Sequence, residues 1–299
     1  MPLKTANKPA LTQKKITPAY LIRLAAFFGF SLSIVLYFTF APMVNKQFYT
    51  IEVLFKPIKC KEYVSSWKGR RAIEVQFENE SGTKLAGLYF PGPSNKKVIL
   101  VHHGQYGNIN THIQYCDFLL TPENSLFIYD YAGFGKSEGS PTISGTLDDT
   151  SAAYQCLVNK LKIDPAHIIH YGGSLGSGPA AQIAAEKECA ALILISPYKS
   201  IKTAAKDFFP FLNIYPDVLL VDSDFDTIEN IKKLKAPLLV VHGTGDASIG
   251  IRHGDQIFAS ANQPKTYFRV ENGSHNVTGT EAIQKRILDF IENQVSEIL

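Results

Sequence analysis

Beyond residue 70 the chain alternates short apolar runs, rich in β-branched residues, with longer amphipathic stretches. The runs "AIEVQFEN" (72–79) and "KLAGLYF" (84–90) flank a Ser-Gly turn and predict an antiparallel hairpin. Six further runs predict strands: "KVILVHHG" (97–104), "SLFIYDYAG" (125–133), "HIIHYGGS" (167–174), "AALILIS" (190–196), "APLLVVHGTGD" (236–246) and "KTYFRVENGSH" (265–275). Helical spacing fills the gaps at 108–120, 145–162, 175–187, 251–262 and 279–298. In the last, Ile283, Ile287, Phe290, Ile291 and Val295 form one apolar face. Strands alternating with helices give an α/β fold: an eight-stranded, mostly parallel sheet covered by helices, over residues 71–299. The stretch 199–235, containing "KDFFPFLNIYPDVLL", breaks the rhythm and predicts a minimal, cap-like excursion over the strand ends.

Upstream the pattern changes. "LAAFFGFSLSIVLYFTFAPMV" (24–44) runs without a charge, long enough at about 1.5 Å per residue to cross a hydrocarbon core of about 30 Å. It predicts a transmembrane helix over 20–44, after a polar tail (1–19) and before a connector (45–70). A secretory signal peptide is the alternative, but its apolar region is usually shorter and ends at a small-residue cleavage site. Tyr20 and Tyr37 suit the two membrane interfaces, and Pro42 suits the helix end. Lys14, Lys15 and Arg23 before the span, against Lys46 after it, favour a cytoplasmic N-terminus and an exported body, a single-pass membrane protein. Including Lys56, Lys59 and Lys61 weakens that bias.

Composition narrows the partners. The net charge of +3 is small, and its excess sits in the N-terminal tail, so no basic surface for nucleic acid is expected. Cys60, Cys116, Cys156 and Cys189 lie far apart and read as thiols, not as a disulfide framework or a metal site. Sequons begin at Asn79, Asn272 and Asn276, a pattern short enough to arise by chance.

Two stretches match Gly-x-Ser-x-Gly, "GKSEG" around Ser137 and "GGSLGSG" around Ser174. A nucleophilic serine of this type stands on a sharp turn between strand and helix. Ser174 ends a β-branched strand and is followed by "LGSGPAAQIAA", a credible helix. Ser137 is followed by "EGSPTISG", which starts none, and a phosphate loop there would need glycine where Asp130 stands. Ser174 is therefore the candidate nucleophile and Ser137 a loop residue.

A serine hydroxyl needs a base in hydrogen-bond reach and a carboxylate behind it. Asp246, in the loop after the seventh strand, and His275, in the loop after the eighth, follow Ser174 in the order serine, acid, histidine. The other histidines (His102, His103, His112, His167, His170, His242, His253) read as structural. Asp222, Asp224 and Asp226 read as a solvated face. The developing oxyanion needs fixed donors, for which the amides of Leu175 and Gln105 are expected, with Tyr106 as the substitute. Phe208, Phe209, Phe211 and Tyr215, with Tyr106, are candidates to flank an acyl chain.

With these residues in place the chain resembles the α/β-hydrolases over about residues 71–299. More narrowly it is similar to the membrane-anchored, small-capped group of bud-emergence-type proteins and related hydrolases of acyl-proteins and lysophospholipids. The likeness rests on "HHGQYGN", "YDYAGFGKSEGSP", "YGGSLGSGPAA", "HGTGD" and "GSHN". It implies that "DYAGFGKSEG" is a structural turn beside the site. The chain departs from the group where its acid loop usually continues Val-Pro, since Ala247, Ser248, Ile249 and Gly250 follow Asp246. Gly173 also stands where the group often has Arg.

The expectation is a serine hydrolase of lipid-like or other small acyl esters or thioesters, working without metal or cofactor. An aminopeptidase-like peptidase, or a non-enzymatic membrane protein that kept the scaffold, are the competing readings.

Overall fold

The structure, a computed structural model, describes residues 17–41, 54–93, 96–220 and 225–296. Lys14, Lys15, Pro42 and Lys46, on which the span's flanks and orientation depend, lie outside the described residues, as do Asp222, Asp224 and the side chain of Val295.

Eight strands form the central sheet: β1 (Ile73–Glu78), β2 (Lys84–Phe90), β3 (Val98–His102), β4 (Ser125–Asp130), β5 (Ile168–Gly173), β6 (Ala191–Ile195), β7 (Leu238–Gly243) and β8 (Lys265–Val270). Their order across the sheet is β8-β7-β6-β5-β3-β4-β2-β1. β2 is antiparallel to both β1 and β4, and the other pairs are parallel. The expected hairpin and parallel sheet are both present.

Successive side chains of a strand point to opposite faces, so each central strand must be apolar on both. β6 does this with Ala191, Ile193 and Ile195 on one face and Leu192 and Leu194 on the other. The first face is covered by α2 (Ile109–Cys116) and α8 (Glu281–Ser296), whose Ile283, Ile287, Phe290 and Ile291 pack as their spacing predicts. The second is covered by α3 (Ile143–Gln155), α4 (Ser177–Glu186), α6 (Thr227–Ile231) and α7 (Arg252–Ser260). α3 begins two residues earlier than its spacing suggests because Thr142 caps it, its hydroxyl accepting the Gly145 N–H at 2.9 Å.

The connector carries structure that its irregular pattern did not announce. Lys56–Pro57 pairs in parallel with Tyr106–Gly107, and Ser66–Trp67 pairs with Arg70–Arg71. The Lys56 amide donates to the Gln105 carbonyl at 2.8 Å and so braces the loop after β3.

At the N-terminus, α1 (Pro18–Thr39) is 22 residues long with no buried residue. Thr17 caps it, accepting from the Tyr20 amide at 3.3 Å, and Pro18 stands at its first position, where no amide hydrogen is needed. Its last turn touches the excursion: Tyr37 stacks on Tyr215 with ring centroids 4.7 Å apart and donates to the Ile214 carbonyl at 2.9 Å. Within the excursion, α5 (Ile201–Phe208) is followed by short turns through Leu219.

Two histidines are buried where β3 and β5 lie side by side. His102 Nε2 meets His170 Nδ1 at 3.0 Å, and His102 Nδ1 meets the Tyr129 hydroxyl at 2.9 Å. Burial pushes the His102 pKa well below its ordinary value and that of His170 down to about 3. The folded state therefore holds both rings neutral while the unfolded chain takes up protons below about pH 6.5, so stability is full above that pH and is lost as pH falls. Each ring adds a slope of about 1.4 kcal/mol per pH unit. Urea unfolding between about pH 6 and pH 5 should lose about 2 to 3 kcal/mol, and an unchanged midpoint over that window would contradict this account.

Candidate active site

β5 delivers Ser174 at its carboxyl end, with a tight turn over Ser174–Gly176 leading into α4. Ser174 has φ of 51°, a left-handed conformation that costs a non-glycine residue about 1 to 3 kcal/mol. The turn survives because α4 is held hard against the sheet. A Cβ on Gly176 would collide with the His102 carbonyl at the end of β3, and one on Gly172 would strike the Gly176 carbonyl and Ala180. The turn's carbonyls are satisfied from the side: Ser177 Oγ donates to the Ser174 carbonyl at 2.7 Å and the Tyr198 hydroxyl to that of Leu175 at 3.0 Å.

The fold brings Ser174, Asp246 and His275 together. Ser174 Oγ lies 2.9 Å from His275 Nε2, and His275 Nδ1 lies 2.7 Å from Asp246 Oδ2. Asp246 Oδ1 accepts the Ser248 and Ile249 amides at 2.8 and 2.9 Å. Burial opposes the charge on Asp246, but hydrogen bonds from His242, His275 and the Ile249 amide outweigh it. They hold its pKa well below the ordinary carboxylate range.

Three supporting residues were not singled out by sequence. His242 Nε2 lies 2.8 Å from the Ile249 carbonyl and 3.4 Å from Asp246 Oδ2, so it ties the acid loop to β7. Its spacing of four from Asp246 was visible, but it matched no motif. Ser196, itself at φ of 46°, donates to the His275 carbonyl at 2.8 Å. Tyr63, in the connector, donates to Asp130 Oδ2 at 2.5 Å, and Asp130 Oδ1 accepts the first amide of α2 at 3.0 Å. This partly buried pair anchors the helix that follows the Gln105 loop.

Gln105, Tyr106 and Leu175 line a cavity of about 470 Å³ together with Ser174 and His275. At Gly104 an added Cβ would press on the His112 ring at 3.3 Å, whereas its 3.8 Å distance from the Ser174 Cβ would be ordinary contact. Of the aromatic candidates, Phe208 and Phe209 line the cavity, whereas Phe211 faces solvent and Tyr215 is buried against Tyr37. Ser137 lies elsewhere, fully buried, donating to the Asp130 carbonyl at 2.7 Å and accepting the Ala86 amide at 3.0 Å. It staples the loop after β4 to β2.

A family model described as the alpha/beta hydrolase fold matches residues 97–213. An uncharacterized protein of Mycobacterium tuberculosis is 31% identical over 227 residues, covering 75% of this chain and 79% of its own. The chain belongs to the alpha/beta-hydrolase superfamily. Within that superfamily, the alpha/beta hydrolase domain-containing protein 17C of Homo sapiens is 32% identical over 233 residues, 75% of this hydrolase chain and 67% of its own. An esterase of Pyrococcus furiosus shares the fold, with a TM-score of 0.66 at 18% identity over 80% of this chain and 98% of that one.

The three glycines of the elbow are not equivalent. Around Gly173 an added Cβ meets nothing within 4 Å, and this residue lines the cavity. Gly173→Ala should change stability by less than about 1 kcal/mol, whereas Gly176→Ala, facing immovable backbone, should cost about 3 kcal/mol or more. Thermal unfolding of the two variants side by side checks this; equal losses would contradict it.

Proposed function

We propose that this hydrolase is a serine enzyme, held to a membrane by α1, that cleaves carboxylic esters or thioesters of apolar acyl groups. The observation that carries the reading is the hydrogen-bonded chain from Ser174 through His275 to the ionised Asp246, at the wall of a largely apolar cavity.

Ser174 Oγ attacks the acyl carbonyl carbon as its proton passes to His275 Nε2. Asp246 holds the Nδ1 proton and stabilises the imidazolium. The carbonyl oxygen becomes an oxyanion facing the Leu175 and Gln105 amides, donors fixed before reaction. Collapse breaks the bond to the alkoxide or thiolate, which leaves with the His275 proton. Water then repeats the sequence on the acyl-enzyme and frees the acid.

Cavity chemistry favours esters over peptides with a free amino terminus. Among the described residues its lining includes Lys56 and Lys202 but no Asp or Glu. An incoming ammonium group would lack a counter-charge there. Leu54, Ile201, Phe208, Phe209, Leu212 and Leu220 offer instead an apolar wall for an acyl chain. For the anchor, the support is the length of α1, about 33 Å at 1.5 Å per residue, and its apolar exposed surface.

Labelling with a fluorophosphonate tests the nucleophile. Ser174→Ala should abolish labelling and lower kcat by about 10⁴-fold or more. Ser137→Ala should label normally while losing about 1 to 2 kcal/mol of stability, because the Ala86 amide loses its acceptor. Labelling that survives in Ser174→Ala would overturn the assignment. Across a series of p-nitrophenyl esters, kcat/KM should rise from acetyl to octanoyl, gaining up to about 0.8 kcal/mol per buried methylene. A steady fall over that series would remove the acyl reading.

A further inference from the structure

We propose that the excursion from Ile201 to Leu220 lies in the interfacial layer of the same bilayer that α1 spans, so that lipidic substrate passes from the bilayer into the cavity. This rests on the reading of α1 as an anchor.

Three observations converge on it. First, α1 hands the chain to the excursion at its last turn, through the Tyr37 stack on Tyr215 and its bond to the Ile214 carbonyl. Ala41, just past the helix, is buried with Leu212, Tyr215 and Leu220. A helix that crosses the bilayer therefore brings these turns to the membrane surface, and two docked rings leave little freedom to move away. Second, the same turns expose large apolar side chains that none of the described residues covers. Phe208 is 55% exposed, Phe211 54%, Ile214 61% and Val218 70%. Such a cluster in one short segment marks an interaction surface, and aromatic residues with aliphatic neighbours suit the interfacial zone. Third, the same segment also forms the cavity wall. Phe208, Phe209, Leu212 and Leu220 line the space that reaches Ser174. One thin layer of protein thus separates the proposed lipid contact from the reacting serine.

The occupant is a lipid surface because α1 supplies one at this place, contiguous with the patch. A second copy of the chain would have to compete with that bilayer for the same side chains.

The full chain in phosphatidylcholine vesicles provides the test. Trp67 is the sole tryptophan, and its indole is bonded to Asp117 inside the catalytic domain, so it serves as an internal control. Phe211→Trp should add emission that is quenched at least about twofold by phosphatidylcholine brominated high in its acyl chains, while Trp67 is unaffected. Added emission that resists the brominated lipid overturns the proposal. So does emission that changes only with protein density in the membrane, which would place a second copy on the patch.

A second variant ties the contact to function. Ile214→Asp with Val218→Asp, at positions outside the cavity, should lower hydrolysis of a long-chain ester dissolved in the vesicles about tenfold and leave hydrolysis of soluble p-nitrophenyl acetate unchanged. Equal loss on both esters, or on neither, counts against the route. If the unaltered protein cleaves neither ester, the hydrolase reading falls while the quenching result still decides the docking. If it fails to partition with vesicles, the anchor falls and this proposal with it.

Discussion

The close approach of α4 to the ends of β3 and β5 is the constraint on which the site depends. A helix that begins one residue after a strand's turn can press against the sheet only where side chains are missing, and Gly172 and Gly176 provide that clearance. The compression forces Ser174 into a left-handed backbone and projects its hydroxyl away from both elements. The cost is local, while the compensation is spread over the apolar surfaces of Ala180, Ala181 and Ala184, packed against Leu192, Leu194 and Val240. Strain of this kind persists only when the surrounding packing leaves no alternative.

Electrostatics divides the interior into two kinds of titratable group. The histidines beneath the site are kept neutral by burial, and their contacts with one another and with Tyr129 form an uncharged bridge between β3, β4 and β5. Asp246 is nearly as buried, yet remains charged because two amides and two imidazoles surround it. The difference lies in the partners: donors around the carboxylate favour its anion, whereas the two buried imidazoles meet each other and a hydroxyl, and burial disfavours their cations. An acid that stays ionised next to His275 keeps the imidazole in the tautomer that leaves Nε2 facing Ser174.

Much of this is legible in the sequence. Short, continuous apolar runs and helical spacing locate the strands and the helices over them, because a parallel strand buried in the sheet must be apolar on both faces. The order Ser174, Asp246, His275 was readable too, since each residue follows a strand and loops at strand ends converge. The substrate wall was less legible. Phe208, Phe209, Phe211 and Tyr215 look alike in "KDFFPFLNIYP", and only the path of the excursion separates the two that line the cavity from one facing solvent and one stacked on Tyr37. The connector hid its role for the same reason: Lys56 braces the Gln105 loop through backbone amide hydrogen bonding, which leaves no side-chain pattern.

What the sequence by itself determined, then, was whatever local chemistry dictates: the alternation of elements, the apolar N-terminal helix, and the strand, turn and helix context that separates Ser174 from Ser137. Tertiary structure alone decided what depends on approach between distant segments. It put His242 and Ser196 behind the acid and the base, Tyr63 on Asp130, and the last turn of α1 against the excursion. The physical reason is one of range. Periodicity records which face of an element is buried, whereas a hydrogen bond between residues far apart in the chain is set by how whole layers pack, and no neighbouring residue carries its trace.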